Sequence, residues 1–190
     1  EPTALVLTGT GGVFAPGVYD GVVATAVRIE GSGAHSVTVT GGAAFDNLLS
    51  ATAIEANAYG VYIGANANVP SILERKSFVV SSVSETAQTA YGFFIASGAT
   101  APSINNSGSI TAQLFGEIGN ATAIVDNSNT LASITNSGTL IAQITQTDSD
   151  PNDSIPPPAI TGTATAIDVS ASSINVTLNQ NATSPFTDDD

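Results

Sequence analysis

The sequence predicts an all-β fold, a right-handed parallel β-helix with about six coils of about 31 residues and three short strands per coil. The first observation is a phrase that occurs twice: Ser103-Ile-Asn-Asn-Ser-Gly-Ser-Ile-Thr-Ala-Gln113 returns as Ser133-Ile-Thr-Asn-Ser-Gly-Thr-Leu-Ile-Ala-Gln143. The second is the shorter phrase Ala121-Thr-Ala-Ile124, which returns as Ala164-Thr-Ala-Ile167. The third is the Asn-Ser-Gly turn itself, because Asn and Gly adopt the left-handed backbone of sharp corners.

Both phrases belong to longer series with a similar spacing. Weaker relatives of the second phrase begin at Ala24, Ala58 and Ala90. The isoleucines of the Ser-Ile phrase are predicted to align as Ile72, Ile104, Ile134 and Ile174. In both series the last interval is the longest. One further copy, Ala51-Thr-Ala-Ile54, is out of phase with the series.

The long interval has a local cause in residues 146–158. This segment holds four of the nine prolines and three acidic residues. Proline donates no hydrogen bond to a sheet, so a central strand is excluded there. Insertions in solenoids form loops on one face while the stacking continues. We therefore predict an external loop at residues 146–158.

The fourth repeat shows how strands and corners alternate. Its predicted strands are residues 121–126, 131–135 and 139–145, separated by polar corners. They are short and rich in Ile, Val, Thr and Ala, without the periodicity of an amphipathic helix. The repeats divide the chain into an irregular N-terminal part or cap (1–50), a repetitive β-helix (51–180) and an acidic tail or further coil (181–190).

Superposing the repeats predicts the interior. Three aliphatic pairs are expected to stack, namely Ile104 with Ile134, Ile110 with Leu140, and Ile124 with Ile167. Buried aliphatic side chains contribute roughly 1.5–3 kcal/mol each. Asn106 is expected beside Asn136, either as a hydrogen-bonded amide ladder or because both shape a corner.

Two aromatic groups lie one period apart, with members Tyr59, Tyr62, Tyr91, Phe93 and Phe94. We expect these rings to fill the core or to stack from coil to coil. A strip that stacks against carbohydrate is the alternative interpretation, because aromatic rings at regular spacing suit sugar rings.

The charge excludes some partners. The net charge is −13, with three basic residues, Arg28, Arg75 and Lys76. Phosphate binding needs Lys and Arg, so neither nucleic acid nor an anionic membrane surface is an expected partner. The chain has no cysteine, which excludes disulfides and thiolate chemistry. No apolar run reaches the roughly 18 residues of a membrane-spanning helix, so we expect no membrane insertion by this segment.

The residue pattern gives no catalytic, cofactor-binding or metal-binding residue. His35 lies in an alternating segment that predicts a strand with one buried face, a setting for a structural or solvent-facing histidine. Asp126 and Asp168 occur in related repeats but are expected on opposite strand faces, unlike a glycosidase pair. Asp148, Asp150 and Asn152 alternate as in an EF-hand, but Asp153 replaces the Gly and Ala159 the Glu. No cofactor is expected, and calcium at residues 148–153 is the one alternative.

The repeat phrases also resemble a known family. Ser133-Ile-Thr-Asn-Ser-Gly-Thr-Leu-Ile-Ala142 and Ala164-Thr-Ala-Ile-Asp-Val-Ser170 look like the cysteine-free, Asn-Ser-Gly-rich passenger domains of bacterial autotransporters. The resemblance covers about residues 51–180. It implies secretion across the outer membrane and display at the cell surface. The family has no common catalytic residues, so the resemblance transfers no site residue.

These observations favour a non-enzymatic structural protein, secreted or at the cell surface, acting as a stalk, adhesin or coat element. One alternative is a filament subunit that associates through its coil ends or edge strands, including a predicted apolar strand at residues 4–7. Another is a β-helix that binds glycans or degrades polysaccharides. The expected partners are therefore further copies of the chain, or a host or matrix glycan or protein.

Overall fold

The computed structural model describes residues 21–147 and 158–181. These residues form sixteen strands in four parallel sheets. Three long sheets make the walls of the solenoid. Sheet 1 contains β1 (Ala24–Ile29), β5 (Ala58–Ile63), β9 (Gln88–Ile95), β12 (Gly119–Asp126) and β15 (Thr163–Asp168). Sheet 2 contains β4 (Leu49–Ile54), β8 (Ser77–Val83), β11 (Ser109–Phe115) and β14 (Thr139–Thr145).

Sheet 3 forms the short wall between the other two. It contains β3 (Ala43–Phe45), β7 (Ile72–Glu74), β10 (Ser103–Asn106), β13 (Ser133–Asn136) and β16 (Thr177–Gln180). A fourth, two-stranded sheet pairs β2 (Val37–Thr38) with β6 (Ala67–Asn68). Each turn visits sheet 1, then sheet 3, then sheet 2, which gives about four turns with a repeat of about 32 residues. The predicted parallel β-helix is confirmed, and the six coils expected for the whole chain compare with about four in the described part.

The strand register follows the predicted series in sheet 1. The alanines that open the short phrase pair from turn to turn, in the order Ala24, Ala58, Ala90, Ala121 and Ala164. The three predicted aliphatic pairs are likewise register partners. The out-of-phase copy is explained by position, because Ala51 to Ile54 lie in β4 and therefore belong to sheet 2.

One predicted alignment is wrong. Ile174 does not continue the Ile72, Ile104 and Ile134 column, because Leu178 is the register partner of Ile134. The Ser-Ile phrase at Ile174 precedes β16 and matches only locally. With Leu178 in place, the last interval is 44 residues in sheet 3 and 43 in sheet 1, because the insertion lies between the paired strands of both sheets.

The core is a continuous column of buried aliphatic and aromatic side chains. Its two fully buried rings, Phe78 and Phe93, meet edge to face with centroids 5.1 Å apart. Glycine makes room for them, because a Cβ at Gly60 would lie 2.7 Å from the Phe78 ring and 2.8 Å from the Gly92 carbonyl oxygen. Phe93 is therefore the one member of the two aromatic groups that fills the core.

A column of polar side chains runs along the inner edge of sheet 3. The predicted amide ladder is present: Asn106 Nδ2 donates to Asn136 Oδ1 at 2.7 Å. Asn136 Nδ2 in turn donates to Gln180 Oε1 at 2.8 Å, which extends the ladder by one turn. Glu74 precedes Asn106 in the same register column. The asparagines therefore connect successive turns as well as shaping the corner.

The predicted loop at 146–158 lies mostly outside the described residues, but its base is visible. Gln146 Nε2 donates to the Pro158 carbonyl oxygen at 2.7 Å. Glu117 in the preceding turn binds the chain on both sides of the insertion. Its Oε1 accepts the backbone N–H of Thr147 at 2.7 Å, and its carbonyl oxygen accepts the backbone N–H of Thr161 at 2.9 Å. The solenoid register therefore resumes directly after the insertion.

We expect Asn136→Ala to lower the free energy of unfolding by about 1–3 kcal/mol, because the buried amide of Asn106 loses its Asn136 partner and the contact from Asn136 to the exposed Gln180 is also lost. Urea denaturation of the purified chain measures the change. Thr135→Ala on the same strand is the control and should alter stability by less than about 0.5 kcal/mol. Equal stability of Asn136→Ala and the parent protein would show that the ladder is not a stabilising element.

Candidate functional site

A concavity that combines polar and aromatic groups lies on the outer face of sheet 1. We call it the outer groove. Its volume is about 300 Å³, and it spans strands β9, β12 and β15. Its lining consists of Thr89, Tyr91, Phe94, Asn120, Thr122, Val125, Asn127, Thr163, Thr165 and Asp168.

An aromatic ladder forms one wall of the outer groove. Tyr59 and Tyr91 are register partners, and their rings stack with centroids 5.0 Å apart and planes 14° apart. Tyr62 and Phe94 stack in the same way, at 5.5 Å and 7°. The two stacks touch each other, since Tyr91 and Phe94 meet edge to face at 4.9 Å. Stacking from coil to coil, as expected from the sequence, is therefore confirmed for these four rings.

Arg28 covers the end of the ladder that is remote from the groove. Its guanidinium carbon lies 4.3 Å from the centroid of the Tyr62 ring, which is the geometry of a cation–π contact. Its Nε also donates to Glu30 Oε2 at 2.8 Å. Burial within the ladder raises the pKa of Tyr59, and the neighbouring Tyr91 adds to this effect. The Tyr59 side chain is therefore uncharged near neutral pH, and its ring packs against Tyr91 within the ladder.

A sudden change in side-chain size creates the groove. In the register column of Tyr59 and Tyr91, the next two residues are Thr122 and Thr165. In the column of Tyr62 and Phe94, they are Val125 and Asp168. In both columns, aromatic side chains therefore occupy the positions up to β9, and smaller side chains occupy the positions in β12 and β15. The last rings of both stacks face the space that this change leaves open.

Polar groups surround the aromatic wall. Thr89, Asn120 and Thr163 form a third column across the same strands. Asp168 stands at the opposite side, and hydrogen bonds from the hydroxyl and the backbone N–H of Ser170 lower its pKa. Asp168 is therefore ionised near neutral pH and accepts hydrogen bonds without donating any.

The residues weighed in the sequence do not converge on one site. Asp168 lines the outer groove, whereas Asp126 is fully buried and is the register partner of Ile95 in the core. These two carboxylates lie on opposite faces, as expected. His35 is exposed in a tight turn, where its N–H donates to the Ser32 carbonyl. The predicted buried face of its strand is wrong, because β2 is only two residues long and both are exposed.

Two features are absent from the described ranges, residues 21–147 and 158–181. These ranges contain no group of three or more His, Asp or Glu side chains that could hold a metal ion. They also contain no helix with the length and apolarity needed to cross a bilayer. The calcium alternative at residues 148–153 lies outside the described residues.

Comparison with known proteins adds no relative. No protein-family model, curated protein or solved structure matches this chain. The fold and the outer groove therefore rest on the sequence and the structure of this chain.

Sequence reasoning missed the outer groove and the buried carboxyl of Glu74. The signal for the groove was the exchange of Tyr91 and Phe94 for Thr122 and Val125 at equivalent positions of the next repeat. Glu74 Oε1 accepts the N–H of Lys76 at 2.9 Å, but its buried Oε2 has no partner among the described residues. Burial raises the pKa of Glu74, and the carboxylate of Asp46 adds to this.

We expect Glu74→Gln to stabilise the protein near neutral pH by about 1–3 kcal/mol, because it removes a buried charge that lacks a full set of partners. A folded pKa above the unfolded one means that the protonated carboxyl supports the fold, and this support is lost as the pH rises through the folded pKa. The difference between variant and parent should therefore shrink below about pH 4, where both states are protonated.

Urea denaturation across this pH range measures the effect of Glu74→Gln. The other charges near Glu74 are Asp46, Arg75 and Lys76, and Arg75 already binds Asp46 at 3.0 Å. Glu85→Gln removes an exposed carboxylate and is the matched control, with no comparable pH dependence expected. A constant difference between Glu74→Gln and the parent at all pH values would contradict the assignment.

Proposed function

We propose that this chain is a non-enzymatic structural protein, an extracellular β-solenoid that works as a stalk or a display scaffold. The observation that carries the proposal is the unbroken register. Strands pair in parallel through all the described turns, and Asn120 Oδ1 still accepts the N–H of Thr163 although the two residues are 43 positions apart. A scaffold that keeps its register across an insertion suits the presentation of loops at a distance from their base.

The composition and the resemblance support the same proposal. Low charge density, a net charge of −13 and the lack of cysteine are compatible with an extracellular surface. The repeat phrases resemble autotransporter passenger domains, which are displayed on bacterial cells. We therefore propose that the chain functions like such a passenger domain and is located at the cell surface or in the surrounding medium.

We expect the protein on intact source cells or in their culture medium. An antibody raised against the purified chain should label unpermeabilised cells, or detect the chain in clarified medium, because an extracellular scaffold is accessible from outside. A cytoplasmic protein of the same cells is the control and should be detected only after permeabilisation. If this chain also required permeabilisation and was missing from the medium, the extracellular proposal would be wrong.

Self-association is a second candidate, favoured by the last described turn. Leu178 continues the core column of sheet 3 but is 54% exposed, and Ile141, Ile160 and Ile174 are also exposed at this end. The strands β14, β15 and β16 each have one neighbour among the described strands. Such strand edges pair readily with another copy when geometry permits, and contacts that do not close give filaments.

Electron microscopy across a concentration series tests the filament candidate. We expect filaments that lengthen with concentration and that disappear in Leu178→Asp, because a charge would then lie in the apolar contact. Val79→Asp, at a 37% exposed valine of β8, which has neighbouring strands on both sides, is the matched control and should leave filaments intact. Isolated particles at every concentration would dismiss self-assembly.

A further inference from the structure

We propose that the outer groove binds a neutral saccharide chain, with a sugar ring stacked on the last rings of the aromatic ladder. This inference goes beyond the scaffold function and does not depend on where the protein is located. It assigns a ligand class to a site made of Tyr91, Phe94, Thr122 and Asp168 together with the surrounding hydroxyl and amide groups.

The ladder itself supplies the stacking surface. The two rings of the Tyr59–Tyr91 column lie 5.0 Å apart, close to the strand spacing of about 4.8 Å. The next residue in this column is Thr122, a short side chain that lines the groove beside the Tyr91 ring. The ring face carries partial negative charge and attracts the C–H groups of a sugar. A sugar ring above Thr122 therefore continues the stack.

The polar lining matches a polyhydroxyl ligand. Each sugar hydroxyl both donates and accepts hydrogen bonds, so its partners must offer both functions. Thr163 and Thr165 provide hydroxyls, Asn120 and Asn127 provide amides, and Asp168 provides an ionised acceptor. The volume of about 300 Å³ is at the lower end for small-molecule sites, which suits a short stretch of a longer glycan.

Charge narrows the ligand to neutral saccharides. The groove lining holds no Lys or Arg and one carboxylate, Asp168. The three basic residues of the chain lie elsewhere, with Arg28 beyond the far end of the ladder and Arg75 bound to Asp46. An anionic polysaccharide would therefore meet repulsion both at the groove and from the net charge of −13.

The sheet disfavours a peptide in the same place. An extended peptide binds a sheet by pairing with the backbone of an edge strand. The backbones of β9 and β12 already pair with strands on both sides. The middle of the groove therefore offers side chains only, which suits a ligand recognised through hydroxyls and a ring face.

Affinity electrophoresis of the full chain in gels that contain single polysaccharides tests the proposal. The neutral probes are a soluble β-1,4-glucan, β-1,3-glucan, xylan, mannan and galactan, and polygalacturonate is the anionic comparison. We expect at least one neutral polysaccharide to retard the protein and polygalacturonate to leave it unretarded. Calorimetry with an oligosaccharide of the retarding type then gives the Kd, and tyrosine fluorescence reports contact with the ladder.

Two ring-adding variants locate the site. Thr122→Tyr places a ring where the sugar is proposed to stack, so we expect at least about tenfold weaker binding with the fold retained. Thr25→Tyr adds the same ring at the opposite end, next to Tyr59, and should leave the affinity unchanged. Circular dichroism and the melting temperature check both folds.

A conservative variant keeps the test decisive if Thr122→Tyr fails to fold. Asp168→Asn preserves shape and removes the ionised acceptor, and we expect about tenfold weaker binding. The proposal is overturned by any of three results: no neutral polysaccharide retards the protein, only polygalacturonate does, or Asp168→Asn leaves the affinity unchanged. It is also overturned if Thr25→Tyr weakens binding as much as Thr122→Tyr.

Discussion

Parallel pairing from one turn to the next places each residue about 4.8 Å from its equivalent in the following repeat, and this spacing constrains every column of the solenoid. A side chain that attracts its own copy at that distance stabilises the stack. The amides of Asn106 and Asn136 meet this condition by donating and accepting in line. The rings of Tyr59 and Tyr91 meet it by stacking.

The same constraint penalises charge inside a column, because an ionised side chain repels its copy and loses hydration. The column of Asn106 shows how the chain deals with this. Its earlier member is Glu74, whose raised pKa follows from burial, and its later member is the neutral Gln180. The low proportion of charged residues, 10%, is consistent with a fold in which most positions face a close copy of themselves.

Sequence periodicity was sufficient for the features that repeat. The alanine series from Ala24 to Ala164 and the pair Asn106–Asn136 could be predicted because equivalent residues share one environment. The alignment of Ile174 with Ile134 was wrong, because it relied on a short local match. The actual partner, Leu178, is set by the full length of the insertion. The buried state of Glu74 was also beyond the sequence, since it depends on which corner of the coil faces inward.

The outer groove was missed for a deeper reason, since it comes from a difference between repeats. Tyr91 and Thr122 occupy equivalent positions, and only the exchange of a large side chain for a small one opens the space between them. Residues that recur in every repeat pack against their equivalents in the next turn or shape a corner, so their side chains already have partners within the column. Residues that break a column leave ring faces, hydroxyls or carboxylates without an identical neighbour, and those groups are free to recognise another molecule. In a solenoid of this kind, the breaks in the pattern are therefore the places to search for function.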